Sequence, residues 1–443
     1  MLQKMVSDRK TEYISYAVVY AIAVLAAKSH LDFAAAILLI AETLFLFVIN
    51  FKKTGSLVDL KGLFTLSWIG GEGIACLKLS KLQSDWSNVT WVTFFLIYLC
   101  FQLGYDFWLG KRKSEEIQEV KRDLVSARRI LICILGLMIV SVACFTLEAA
   151  VVGYIPLFNS APHAYSHFHI SGVHYFTISC ILIPALTVLY TKVAEKITGV
   201  CLILLILGNI TAVAIPILCV SRFQLLFAVG FAAVTYLMLY KKITWKMIVG
   251  LFLVMIPVYV LLTVARRHDV TYLNGIFEMK NPNMPIFITQ PYIYVANNFE
   301  NFNCMVEQLT AHTWGLQMLF PVFALTGLKF VFPQLVAIPD FVTKTELTTL
   351  TMFYDAYYDF GVLGTAIFAF VVGLASAAVI HMVQRKKNPI TYMFYGQIAI
   401  YLGLAFFTTW FSNPTTWFWL ALTVMMYWFV GYQKKGKETD GKK

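Results

Sequence analysis

A chain of 443 residues that is 59% hydrophobic and only 13% charged does not have the makings of a soluble protein, because globular domains average about 45–50% apolar and about 25% charged residues. With a mean hydropathy of +0.72, too little polar surface exists to wrap the apolar material in water, whereas a bilayer solvates it directly. The net charge of +11, from 35 Lys and Arg against 24 Asp and Glu, falls in short clusters between apolar runs, a topology signal and not a nucleic-acid-binding face.

These features predict an all-α polytopic membrane protein. A membrane helix needs about 20 mainly apolar residues. The N-terminus opens with Lys4, Arg9 and Lys10 and turns apolar from Tyr13 to Ala27; a signal peptide shares those features, but the charge count below needs an uncleaved first span. Candidate spans cover 13–28, 33–51, 60–79, 88–108, 129–149, 171–191, 198–219, 222–240, 246–264, 358–383, 390–411 and 415–432, about twelve in all. Assigning alternate connections to opposite sides collects 26 of the 35 Lys and Arg on one side. By the positive-inside rule both termini are then cytoplasmic in a multi-pass protein of the cytoplasmic membrane, with Lys111-Arg112-Lys113 through Arg129 as the firmest anchor.

This division gives four regions: 1–264 with spans one to nine, a large extracytoplasmic loop at 265–352, 353–432 with spans ten to twelve, and a basic cytoplasmic tail at 433–443. Trp314 to Val336 is apolar enough to cross, but a thirteenth crossing would put Arg385-Lys386-Lys387 outside. It is therefore expected as a re-entrant or interfacial helix. The loop holds six of the 13 prolines and many aromatics and amides, which suits an ordered platform better than a linker. No internal repeat is visible. The eight cysteines show no CxxC and no disulfide framework, since only Cys304 lies away from apolar runs.

Several residues could carry chemistry. Ser221-Arg222-Phe223-Gln224 reads as a capping box opening the eighth span. Its free N–H groups and Arg222 form a candidate phosphate site; the alternative is an arginine snorkelling to lipid headgroups. Arg266-Arg267-His268 follows the ninth span and invites an anion, or else a lipid phosphate. Asp355 and Asp359 share one helix face at i and i+4, where they could bind sugar or activate a hydroxyl, or simply favour the helix dipole. His163, His167, His169 and His174 lack a carboxylate or thiolate at ligand spacing, so no metal is expected. Glu42, Glu72 and Glu148 fall within or at the ends of spans, as partners of cations or as pathway residues. No nucleotide-binding or protease fingerprint is present.

The chain resembles the Wzy-type oligosaccharide repeat-unit polymerases of O-antigen, capsule and exopolysaccharide assembly. The resemblance rests on Gly153-Tyr154-Ile155-Pro156-Leu157-Phe158, Ser221-Arg222, the stretch Tyr294 to Phe302, and Tyr358-Asp359-Phe360-Gly361 with Gly364. It implies a GT-C-like glycosyltransferase at the outer leaflet, with a polyprenyl-pyrophosphate-linked oligosaccharide as substrate, no cofactor, and a flippase and chain-length regulator as partners. Arg222, Arg266 and Arg267 would then hold pyrophosphate, Asp359 or His312 would take the acceptor's proton, and Tyr292, Tyr294, Asn297, Asn298, Asn301 and Asp355 would hold sugar. A lipid-linked oligosaccharide flippase, another multi-span transporter such as a drug/proton antiporter, and an O-antigen ligase-like enzyme stay open as alternatives.

Overall fold

The computed structural model describes residues 9–110, 120–159, 164–241, 249, 270–385 and 387–431. The chain is helical, and among the described residues the nearest approach to a sheet is an isolated bridge, Ser80 with Met279. The eight long helices before residue 241 are α1 Arg9–Lys28, α2 Asp32–Thr54, α3 Leu60–Ala75, α4 Asn88–Gly110, α5 Leu124–Val152, α6 Val173–Val193, α7 Gly199–Leu218 and α8 Arg222–Tyr240, with a single short turn of helix at Ala164–His167. After them come α9 Val270–Phe277, α10 Ile286–Gln308, the short α11 Phe320–Leu325 and α12 Leu328–Val331, then α13 Tyr354–Arg385, α14 Thr391–Gly403 and α15 Pro414–Gly431.

Among the described residues eight helices are long and apolar enough to cross a membrane, α1, α2, α4, α5, α6, α7, α8 and α13. This makes the chain a helical polytopic membrane protein. The expected spans at 60–79 and 390–411 are shorter than a bilayer needs: α3 has 16 residues and α14 has 13. Both are deeply buried within the protein. The expected span at 246–264 lies outside the described residues.

Contacts define two ends of the bundle. At the basic end, Asp123 N donates to the Val193 carbonyl at 3.0 Å, Arg129 to the Val430 carbonyl at 3.1 Å, and Tyr395 to the Val58 carbonyl at 2.8 Å. Lys61 pairs there with Glu12 at 2.6 Å and Asp106 at 3.5 Å. At the loop end, Lys81 N donates to the Glu278 carbonyl and Lys280 N to the Leu79 carbonyl, both at 2.9 Å.

Two features shape the loop end. The first is α10, which falls inside the expected 265–352 loop. Tyr292 near its start donates to Gln83 Oε1 at 2.6 Å and accepts from Leu79 N at 2.8 Å, while Asn303 Oδ1 accepts from Ser87 N at 3.0 Å and Thr90 Oγ1 at 2.7 Å. With both halves tied to segment 79–90, α10 lies across the helix ends as a buried lid. The second is a break in α13 at Gly361, whose φ of 64° and ψ of −159° leave the helical region. The rings of Phe353 and Phe368 sit 5.7 Å apart, although fifteen residues of straight helix would separate them by about 22 Å. The chain therefore doubles back at Gly361. Segment 314–336, expected as a re-entrant or interfacial helix, forms two short helices and a single 3₁₀ turn at Pro333–Leu335, broken by Gly327 at φ 79° and by Pro333.

The long arm of α13 packs closest on α4. A Cβ at Gly104 would lie 2.1 Å from the Phe370 carbonyl oxygen, and one at Gly373 2.1 Å from that of Phe101. Small residues let two helix backbones touch, as membrane helix pairs require.

Candidate functional site

Asp359 is fully buried in the last turn before the Gly361 break. Its carboxylate accepts the hydroxyl of Thr313 and the backbone N–H groups of Gln317 at 3.1 Å and Met318 at 2.8 Å. Trp314 N donates in turn to the Asp359 carbonyl oxygen at 3.2 Å. The carboxylate thus clamps a tight turn in which Trp314 and Gly315 both have positive φ. Three donors already occupy the carboxylate oxygens.

His312 adjoins this clamp and is exposed. Its Nδ1 lies 3.1 Å from the Tyr358 carbonyl, which can only accept, so the network assigns the proton to Nδ1 and a lone pair to Nε2. A Cβ at Gly361 would come within 2.9 Å of that Nε2. Beyond His312 runs an exposed apolar strip: Trp314 is 78% exposed, and Leu319, Val322, Phe330, Val331 and Phe332 are exposed with it.

The turn after α14 links three more candidates. Asp355 is buried near the hydroxyls of Thr409 and Ser412, the latter donating to Met318 Sδ at 3.3 Å. Phe223, beside the half-buried Arg222, stacks on Phe407 at 5.3 Å and lies 5.7 Å from Trp410. Tyr294 meets Phe407 edge-on at 6.0 Å. Turn 407–412 therefore gathers Tyr294, the N-terminus of α8 and Asp355 at the loop end. Ser221 caps α8 as expected, accepting from Gln224 N at 3.4 Å. The reciprocal half of the box does not form, since Gln224 Oε1 has no hydrogen-bond partner among the described residues. Arg266 and Arg267 lie outside the described residues.

The amides face elsewhere. Asn298 donates to the carbonyls of Tyr294 and Phe406, both at 2.7 Å, and accepts from Thr349 Oγ1 at 2.6 Å. Asn301 donates to the carbonyls of Leu347 at 2.8 Å and Thr349 at 3.0 Å and accepts from Thr343 N at 2.9 Å. Asn297 joins them through Thr343 Oγ1 at 3.0 Å. These residues stitch the 341–349 segment onto α10, and Tyr292 holds segment 79–83. Nearby, burial raises the carboxyls of Glu300 and Asp340 above their ordinary range; in Glu300 the bonds from Ser84 and Trp86 act against it.

Sequence reasoning missed Thr313, which sits directly after His312, and the pairing of Glu148. That carboxylate accepts from Ile170 N at 3.0 Å and Thr177 Oγ1 at 2.8 Å and meets His174 Nδ1 at 3.1 Å. A 26-residue separation between Glu148 and His174 leaves no periodic trace in a sequence.

The fold and site define a helical polytopic membrane protein with a lidded loop end. Comparison of the chain with known family profiles, curated proteins and solved structures finds no match.

Proposed function

We propose that this chain is a GT-C-like membrane glycosyltransferase that polymerises polyprenyl-pyrophosphate-linked oligosaccharide repeat units into a surface polysaccharide. The observation that carries the reading is His312: an exposed imidazole, its Nδ1 fixed on the Tyr358 carbonyl, placed beside the exposed apolar strip 314–332. A base next to a lipid-facing surface suits a substrate whose reacting sugar hangs from a lipid. The basic end faces the cytoplasm in this reading, and the loop end meets the exported lipid-linked units that a flippase supplies, with a regulator setting the length of the polymer.

In the reaction, an acceptor sugar hydroxyl attacks the anomeric carbon of the donor. A new C–O bond forms while the bond from that carbon to pyrophosphate breaks, the pyrophosphate leaving with the electron pair as polyprenyl pyrophosphate. The hydroxyl proton passes to His312 Nε2. Arg222, with Arg266 and Arg267, stabilises the charge developing on the leaving group. Asp359 is a positioning residue that holds the His312 segment, and Asp355 and Tyr294 line the sugar side.

Purified protein in nanodiscs, given a lipid-linked repeat unit, tests the reading. Chains of two and more units with release of polyprenyl pyrophosphate are expected. Movement of the intact unit across liposome bilayers with no new glycosidic bond would replace this reading with a flippase, and transfer only to a different acceptor would replace it with a ligase.

A further inference from the structure

Two carboxyl groups inside the first four helices take no part in the proposed reaction. Glu72 on α3 is 0% exposed; its Oε2 accepts the Tyr20 hydroxyl at 3.0 Å and its Oε1 has no hydrogen-bond partner among the described residues. Glu42 on α2 is buried as well, with Oε1 likewise unpartnered among them. Thr43 meets Gly70, and Leu39 and Ile40 meet Gly73, so the two glutamates stand at nearly the same depth. Residues 13–27, 33–51, 62–77 and 88–105 contain no Lys, Arg or His, so these four helices bring no cation to that depth. A lone carboxylate in a bilayer costs a few kcal/mol and marks a working site.

The surroundings of Glu72 are asymmetric. Toward the basic end, Phe64 packs on Tyr98 and Phe101, and below them Lys61 and Lys53 are paired with Glu12. Toward the loop end, a cavity of about 120 Å³ is lined by Cys76, Lys78, Asp85, Trp86, Trp91 and Glu300. Cys76 lies one turn along α3 from Glu72, on the same face. The Trp91 carbonyl accepts at 3.0 Å from the same Tyr20 hydroxyl that reaches Glu72. Trp91 on α4, through Tyr20, and Cys76 at the end of α3 therefore connect the cavity lining to the carboxyl. The titratable groups around Glu72 and its cavity are Tyr16 and Tyr20 from α1, Glu42 and Asp32 from α2, Cys76 at the end of α3, Tyr98 from α4 and Glu300 from α10, with Lys28, Lys78 and Asp85 at the mouth. From α14, which also packs on α3, no Asp, Glu, Lys, Arg or His is contributed.

We propose that Glu72 is a proton-binding site reached from the loop-end cavity and closed toward the basic end. A hydronium in the cavity gives its proton to the Glu72 carboxylate, forming the carboxylic O–H and releasing water; the reverse step returns the proton to the same side. The unpartnered Oε1 is the atom left to take that proton, since Oε2 already accepts from Tyr20. This site is independent of the transferase reading.

The wild-type chain in nanodiscs gives the first test. A hydrophobic carbodiimide, which reacts with protonated carboxyls, should modify Glu72 as read by peptide mass spectrometry, at a rate falling about tenfold per pH unit once the site loses its proton. Infrared difference spectra should contain a protonated-carboxyl band that responds to pH and is lost in Glu72→Gln, a variant that keeps an acceptor for Tyr20. Liposomes carrying the protein should hold an imposed pH gradient. No modification of Glu72 at any pH, or an unchanged infrared band in a folded Glu72→Gln variant, would overturn the proposal. Slowing of the modification by sodium at constant pH would reassign the site to a metal cation, and collapse of the gradient would overturn its one-sided character.

Discussion

Thr313 donates its hydroxyl to the carboxylate of Asp359, and this pair joins the turn that carries His312 to the point where α13 doubles back. The two halves of the candidate site are thereby held by one buried anion. In Asp359→Asn the amide NH₂ would confront the Met318 N–H, donor against donor. The loss expected is about 1–3 kcal/mol, read as a lower midpoint of thermal unfolding in detergent, with Thr313→Val falling between the Asp359→Asn variant and wild type. An Asp359→Asn protein as stable as wild type would remove the clamp from this account.

His312→Ala should leave stability within about 0.5 kcal/mol, the usual range for an exposed side chain, while abolishing chain growth on a lipid-linked repeat unit. Full polymerase rate in that variant would exclude the imidazole as the base. Gly361→Ala is expected to lower both stability and chain growth, because its φ of 64° strains an L residue and the added Cβ would press on His312.

Helix contact depends on glycine at α4 and α13. Gly373→Ala places a methyl 2.1 Å from the Phe101 carbonyl oxygen, and overpacking of this kind costs about 1–3 kcal/mol or more. Gly136→Ala on α5 meets nothing within 4 Å and should be neutral or slightly stabilising. Thermal unfolding of the two variants side by side checks the contrast; equal behaviour would mean that α4 and α13 can part without loss.

Burial holds Glu300 above its ordinary value of 4.5. Its folded form thus keeps a proton that the unfolded chain has already lost. The stability from this group is fully present below pH 4.5 and is lost as pH rises through the folded value. Glu300→Gln cannot titrate, so its unfolding midpoint should fall less than that of wild type as pH rises above 4.5. Parallel pH profiles for the two proteins would contradict this.

Composition alone made the helical, membrane-embedded character legible, and runs such as 33–51 and 129–149 recur as α2 and α5 because an uninterrupted apolar stretch of that length has few other solutions. The loop end was not legible in the same way. Tyr292 to Asn303 looks like a soluble, sugar-binding stretch because amides and aromatics usually face water; here Asn298 and Asn301 spend their hydrogen bonds on the backbone of 343–349 and 406, contacts that come from far along the chain. Prolines interrupt the apolar run Trp314–Val336, expected as a re-entrant or interfacial helix, and short helices form there. The doubling back of α13 depends on Gly361 and on Phe353 meeting Phe368, and no local pattern announces that contact. Of the candidate site, Asp355, Asp359, His312, Tyr294 and Arg222 stand at the loop end, while Tyr292, Asn298 and Asn301 serve the scaffold.

The lid helix has a consequence for how the protein is made. Buried Thr289, Gln290, Asn297, Asn298, Glu300, Asn301 and Asn303 make α10 too polar to be recognised as a span during membrane insertion. It has to find its place after the apolar helices have inserted, docking where Phe299 lies against Gly71, a position at which any Cβ would come within 2.6 Å of the ring. Assembly therefore has two stages, the apolar helices before the polar one, and a chain stalled between them would present α3 and α4 with an empty seat for chaperones or proteases on that face to find.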